Sequence, residues 1–110
     1  MVQERRLCPR IEFRHPAIIN GVKPASKIMN LSTGGAFIQT NNWRHYERGK
    51  QVTLFTKFPL ETRPMRIRAR VVHVGREGIG VEFQDLWGRE SEAVDITFEV
   101  FKNTLPFPGS

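Results

Sequence analysis

The sequence predicts an all-β-dominated domain, with about six short strands forming a small closed barrel or sandwich and one C-terminal α-helix. Three observations carry this reading. Met65, Ile67, Ala69 and Val71 alternate with Arg66, Arg68 and Arg70, a period of two with one apolar and one basic face. Turn signals at Asn20-Gly21, Thr33-Gly34-Gly35, Pro59 and Glu77-Gly78 separate short apolar runs. Near the C-terminus the period changes, and Val94, Phe98, Phe101 and Leu105 recur along one helical stripe.

Residues 1–10 are polar, rich in Arg and without periodicity, and read as a flexible, extended arm. Pro9 disfavours helix at Cys8. Ile11, Phe13, Ala17, Ile18 and Ile19 suit a first strand, which the Asn20-Gly21 pair closes with a hairpin turn. Residues 22–30 lead through Ile28 to Asn30. A tight turn at 33–35 precedes a short buried strand over Ala36 to Thr40. Residues 41–49 are a polar connection closed by Gly49. Val52, Leu54, Phe55 and Phe58 mark a strand that Pro59 ends. The alternating strand from Met65 runs on through Val74, turns at Glu77-Gly78 and returns as Ile79 to Phe83.

A helix is expected over about 91–104, with Ser91 as N-cap, Glu92 and Asp95 near its positive end and Lys102 near the other. Ile96, Thr97 and Val100 lower the helix propensity and leave a strand as the alternative. Pro106 and Pro108 stop the element, and residues 106–110 read as a loose tail. The expected domain therefore spans 11–105.

At 110 residues the chain is the size of one domain, large enough for a core without disulfides or a structural metal. No apolar run reaches the ~18 residues a membrane span needs. Arg5, Arg6 and Arg10 are not followed by an apolar stretch, unlike a secretory signal. The single cysteine, Cys8, forms neither an intramolecular disulfide nor a zinc site, so the expected compartment is the cytoplasm. Charge is unevenly placed. Residues 1–76 hold 15 Lys and Arg against 4 Asp and Glu, whereas residues 77–110 hold 2 against 7. Arg outnumbers Lys by 12 to 5. Its planar fork suits phosphate and stacks on flat rings, so an anionic partner such as a nucleotide, nucleic acid or acidic lipid is the natural inference. A basic surface without a ligand is the alternative.

No constellation for catalysis is present, since carboxylate pairs beside a His, HExxH, GxSxG and phosphate loops are all lacking. His15, His45 and His73 are isolated in sequence. No enzymatic activity, metal or cofactor is expected. Cys8 lies among three arginines, which favour its thiolate, but a lone cysteine in an arm assigns no role.

A binding constellation is richer. Arg6-x-x-x-Arg10 spans about 13 Å if extended, enough to grip a phosphate-rich ligand along its length. Asn30-x-Ser32-x-x-Gly35 falls at a strand-turn-strand junction. Asn30 offers a carbonyl acceptor and an amide donor to a base edge, and the Ser32 hydroxyl can meet phosphate or ribose. Gly35 permits close approach of a ligand to the backbone. The competing reading is that Asn30 and Ser32 cap a turn and that Gly34-Gly35 merely allows it.

In this order the two motifs, RLCPR and then NLSTGG, resemble the PilZ family of cyclic di-GMP receptors, whose pattern is RxxxR followed by [DN]xSxxG. VVHVGREGIGVEF looks like the closing hairpin of that family, and the acidic helix falls where the family has its C-terminal helix. The resemblance covers about residues 4–104. It implies a six-stranded antiparallel β-barrel with one C-terminal α-helix, and cyclic di-GMP, often as an intercalated dimer, as the ligand. It further implies that Arg6 and Arg10 hold phosphates and stack on guanine, that Asn30 reads a guanine edge, that Ser32 contacts phosphate or base, and that Gly35 leaves room for the purine. Arg5, Gly34 and His73 are additional candidate contacts. A basic Arg5 would favour the stacked dimer, and the flat His73 could stack on a base.

The function expected is a stand-alone receptor or adaptor whose arm becomes ordered on binding and which signals to an unidentified protein effector. A protein-interaction module without nucleotide response is one alternative. A small nucleic-acid-binding barrel is another. Against the latter, no strand face interleaves aromatic with basic residues as single-strand binders do. Arg66, Arg68 and Arg70 are read mainly as a solvated face.

Overall fold

The structure, a computed structural model, describes residues 9–102, the side chains of 23 and 24 excepted. The arm positions Arg5, Arg6 and Cys8, the end of the helical stripe at Leu105 and the tail 106–110 lie outside the described residues.

Six strands form a closed barrel: β1 (Ile11–Ile19), β2 (Val22–Leu31), β3 (Gly35–Gln39), β4 (Gln51–Thr56), β5 (Met65–Gly75) and β6 (Gly78–Phe83). The order around the barrel is β1-β2-β3-β6-β5-β4, with every neighbouring pair antiparallel. Pairing of Ile18 with Phe55 and Ile19 with Leu54 closes it. A helix, α1 (Gly88–Lys102), follows β6. The alternation that predicted strands also builds the core. Met65, Ile67, Ala69 and Val71 point inward with Ile28, Leu31, Ile38, Leu54, Ile79 and Val81, while Arg66, Arg68 and Arg70 are exposed.

Asn20 and Gly21 both adopt positive φ, 54° and 74°, the geometry of the two-residue hairpin turn that their sequence signals. Several boundaries differ from the expectation. Residues 22–31 form a full strand, because Asn20-Gly21 folds them directly back onto β1. The second tight hairpin turns at Arg76-Glu77, one residue early, since Gly75 pairs with Gly78 and Gly78 already belongs to β6. Phe58 lies beyond the end of β4 yet is fully buried. The polar connection contains one short 3-10 turn, Trp43–His45.

The helix begins at Gly88, so Ser91 lies inside its first turn and is not the N-cap. Glu90 is the acidic residue of that turn. The helix prevails over the strand alternative because its stripe has a place to bury. Ala93, Val94, Thr97 and Phe98 are all buried. Phe101 meets Phe13 edge-on, with ring centroids 5.0 Å apart, and Phe13 also contacts Phe58 and stacks on His15. His15 is held in turn by the Lys57 carbonyl, 2.5 Å from Nε2, and is structural.

Phe13 joins helix to barrel, so Phe13→Ala is expected to lower stability by ~3–5 kcal/mol, read as a shifted urea midpoint. The Thr97 hydroxyl is buried without a hydrogen-bond partner among the described residues. Thr97→Val should therefore be neutral or stabilising, by up to ~1 kcal/mol in the same titration.

Candidate functional site

A row of four residues crosses the outer face of β2, β3, β6 and β5. Asn30 pairs with Phe37, Phe37 with Gly80, and Gly80 with His73. Their outward aim has a local cause. In β2, Ile28 and Leu31 both point into the core, and an irregularity between Ile28 and Asn30 leaves Asn30 outside. In β5 the inward parity of 65, 67, 69 and 71 would carry His73 inward as well. A register shift between Val71 and His73 turns it out. Bulges of this kind re-aim side chains at binding sites.

Together with Arg10 and Val72, these residues line an open groove of about 410 Å³. Arg10 precedes β1, and its Nη1 donates to Asn30 Oδ1 at 2.8 Å. One guanidinium edge is thereby fixed, while the remaining N–H donors can serve a ligand. Among the described residues no acceptor engages the Asn30 amide nitrogen. Phe37 and His73 present rings 6.4 Å apart and inclined at 45°. Gly80 lies between them, where a Cβ would stand 3.3 Å from His73 Cβ. Glu12, the cross-strand neighbour of Asn30, is engaged by Arg14 at 3.1 Å, which offsets its negative charge beside the site. A positive fork, an amide and two flat rings around one groove can take a planar heteroaromatic group bearing phosphate.

Ser32 has a different duty. It is 2% exposed, and its Oγ accepts from the backbone N–H of Gly34 at 3.2 Å and of Gly35 at 3.0 Å. Its own N–H donates to the Gly35 carbonyl at 2.8 Å. This hydroxyl holds the turn that joins β2 to β3. Gly35 is required by the barrel, since a Cβ there would overlap the carbonyl oxygen of Val81 on β6. Gly34 accepts from the Phe83 N–H at 2.9 Å, tying the same turn to β6.

The structure thus brings Arg10, Asn30 and His73 to one groove and places Ser32, Gly34 and Gly35 in the turn beneath it. Arg5 and Arg6 lie outside the described residues. Phe37, Val72 and Gly80 are groove residues that the sequence reading did not single out. Ala36-Phe37-Ile38 is a uniform apolar run that gives no sequence signal for Phe37, and only the burial of both its neighbours shows that the aromatic faces outward.

Comparison with known proteins assigns the family and the fold. The PilZ domain profile matches residues 4–99. The chain belongs to the PilZ domain family. PilZ is a family of cyclic di-GMP receptors, regulatory binding modules rather than enzymes. Among solved structures the chain is similar to the Bacillus subtilis inhibitor of motility, MotI/DgrA, with a TM-score of 0.71 at 17% identity. The match covers 94% of this chain and 54% of that one, so this chain spans about half the length of its structural neighbour. At that identity the likeness shows the shared fold, the six-stranded antiparallel barrel with its C-terminal helix. No curated protein matches the chain. Among the described residues, no helix is long and apolar enough to cross a membrane.

Two substitutions separate the turn from the groove. Gly35→Ala forces β3 away from β6 and should cost ~1–3 kcal/mol. Ser32→Ala strands two turn N–H groups and should cost about as much. Both losses should appear in thermal denaturation without any ligand present.

Proposed function

We propose that this PilZ domain is a cytoplasmic receptor for cyclic di-GMP that passes its response to a partner protein. The observation that carries this reading is the Arg10–Asn30 contact at the edge of a groove floored by Phe37 and walled by His73. Cyclic di-GMP presents two phosphates and two guanines. Arg10 meets a phosphate with its free N–H groups and turns its plane to a guanine. Asn30 supplies the amide donor for a guanine edge. Phe37 and His73 give the purine two flat surfaces.

Arg6, four residues before Arg10, supplies the second cationic fork, and Arg5 adds charge suited to a stacked dimer of the ligand. Ser32 and Gly35 act from below, by fixing the turn that sets Asn30 at the groove. The ligand itself gives the arm its ordering force. Contacts made by Arg6 exist only when the arm lies on the barrel, so binding favours that state.

Calorimetric titration with cyclic di-GMP tests the proposal. The folded protein should bind at micromolar concentration or tighter, with the stoichiometry counting ligand molecules per site. Arg10→Ala should weaken binding roughly ten- to a hundredfold, the equivalent of losing ~1.5–3 kcal/mol of charge-assisted hydrogen bonding. Phe37→Ala should weaken it by about tenfold through lost stacking. A folded protein that gives no binding would overturn the receptor reading and leave a protein-interaction module in its place.

A further inference from the structure

A second groove, also of about 410 Å³, lies on the side of the barrel where β5 outruns β6. Arg66, Arg68, Gln84, Trp87 and Glu90 line it, together with Ile67. The Ile67 side chain is in the core, so its contribution to the groove is main chain.

The edge of β5 is open here. The residues of a strand send N–H and C=O alternately to its two neighbours. Val71 bonds toward the β4 side, exchanging bonds of 2.7 and 2.8 Å with Gly49 and Lys50. Arg68 bonds toward the β6 side, accepting from Gln84 N–H at 2.8 Å. Arg66, two residues before Arg68, directs its N–H and C=O to that same side. Pairing of β5 with β6 begins only at Ala69, opposite Phe83, and among the described residues no backbone hydrogen bond reaches Arg66 from that side. One donor and one acceptor of a strand edge are thus offered to the groove.

Side chains add chemistry to the edge. Trp87 is 74% exposed, with no hydrogen bond or ring partner among the described residues. Tryptophan and arginine are the side chains that anchor interfaces most often. Arg68 is paired with Asp85 at 3.3 Å. Arg66 has no carboxylate partner among the described residues and rests over the Phe55 ring at 5.8 Å. Its charge is available. With Asp85 paired to Arg68 and Glu90 offsetting Arg66, the groove carries no net positive charge for a polyanionic phosphate backbone, whereas a single carboxylate of a peptide needs only the Arg66 fork.

We propose that this groove docks an extended segment of a partner protein, added as a short strand to the free edge of β5. The segment carries a carboxylate for Arg66 and a bulky apolar side chain for Trp87. Main-chain bonding at an exposed edge gives affinity, and the flanking side chains give selectivity. The groove is separate from the Arg10 groove, and its occupancy does not depend on cyclic di-GMP.

The test is panning of random octapeptides on the folded protein, followed by fluorescence anisotropy with the enriched sequences. Enriched peptides should pair Asp or Glu with a bulky apolar residue. Binding should fall at least tenfold with Arg66→Glu and with Trp87→Ala, and should survive Arg10→Ala. Amide exchange at Arg66 should slow when peptide is bound, a readout that simple surface adhesion would not move. Both variants are at exposed positions, and circular dichroism checks their fold. Failure to enrich peptides, equal binding by the variants or unchanged exchange at Arg66 would overturn the proposal. So would tighter binding of an RNA oligonucleotide than of any peptide. Self-association in sedimentation that Trp87→Ala abolishes would also overturn it, by assigning the groove to a second copy of the chain.

Discussion

The close approach of β3 to β6 is the constraint on which the rest of this molecule depends. Two glycines permit it from opposite strands. A Cβ at Gly35 would overlap the Val81 carbonyl, and one at Gly78 would overlap the Ile38 carbonyl. Gly78 also adopts φ of 147°, a conformation that other residues rarely take. With the strands this close, Ala36, Ile38, Ile79 and Val81 interlock in the core, and the register is fixed. That register sets Phe37 opposite Gly80. A shift by one residue would send Phe37 into the core and both apolar neighbours to solvent. The motif glycine of the turn therefore serves the Arg10 groove at one remove, through strand pairing.

The polar groups of the groove depend on a second device. Asn30 and His73 both follow breaks in register, one in β2 and one in β5. Without these breaks, strand parity would direct His73 into the barrel, where an imidazole would lack partners. Gly80 accommodates the result, since its missing side chain leaves space beside the outward-turned His73. Register supplies the row of residues, and the two irregularities decide which of them face outward.

Much of this was legible in the sequence, for reasons that differ from element to element. The Met65–Val71 alternation revealed its strand because one face is fully buried and the other charged. Asn20-Gly21 revealed a hairpin because few residue pairs tolerate two positive φ angles. The two separated motifs carried the family, which the match over residues 4–99 establishes. The helix start was misplaced because Ser91 satisfies the local rule for an N-cap, whereas the chain enters the helix at Gly88, whose φ of 67° is one that glycine takes freely. Phe37 was missed because a short apolar run does not say which residue faces out. The division of labour within NLSTGG was also hidden. A serine hydroxyl suits a phosphate and a turn equally well, and only burial shows that Ser32 is already engaged by Gly34 and Gly35.

The charge asymmetry of the chain needs the fold to be understood. A basic body and an acidic tail suggest a broad positive surface for an anionic ligand. The fold instead returns the tail onto the body. Arg70 is met by Glu82 at 2.9 Å and Arg68 by Asp85 at 3.3 Å, so two of the three β5 arginines face carboxylates from β6 and the linker beyond it. Such exposed pairs add little stability, about 0–1 kcal/mol each, but they remove positive potential from that face. Near the Arg10 groove the compensation runs the other way. Arg14 engages Glu12, the one carboxylate paired across the strands with Asn30, and Arg10 is held by a neutral amide rather than by an acid. A guanidinium fixed by an amide keeps its full charge for a ligand. Of the three β5 arginines only Arg66 lacks a carboxylate partner among the described residues, and at the groove Arg10 is likewise left uncompensated.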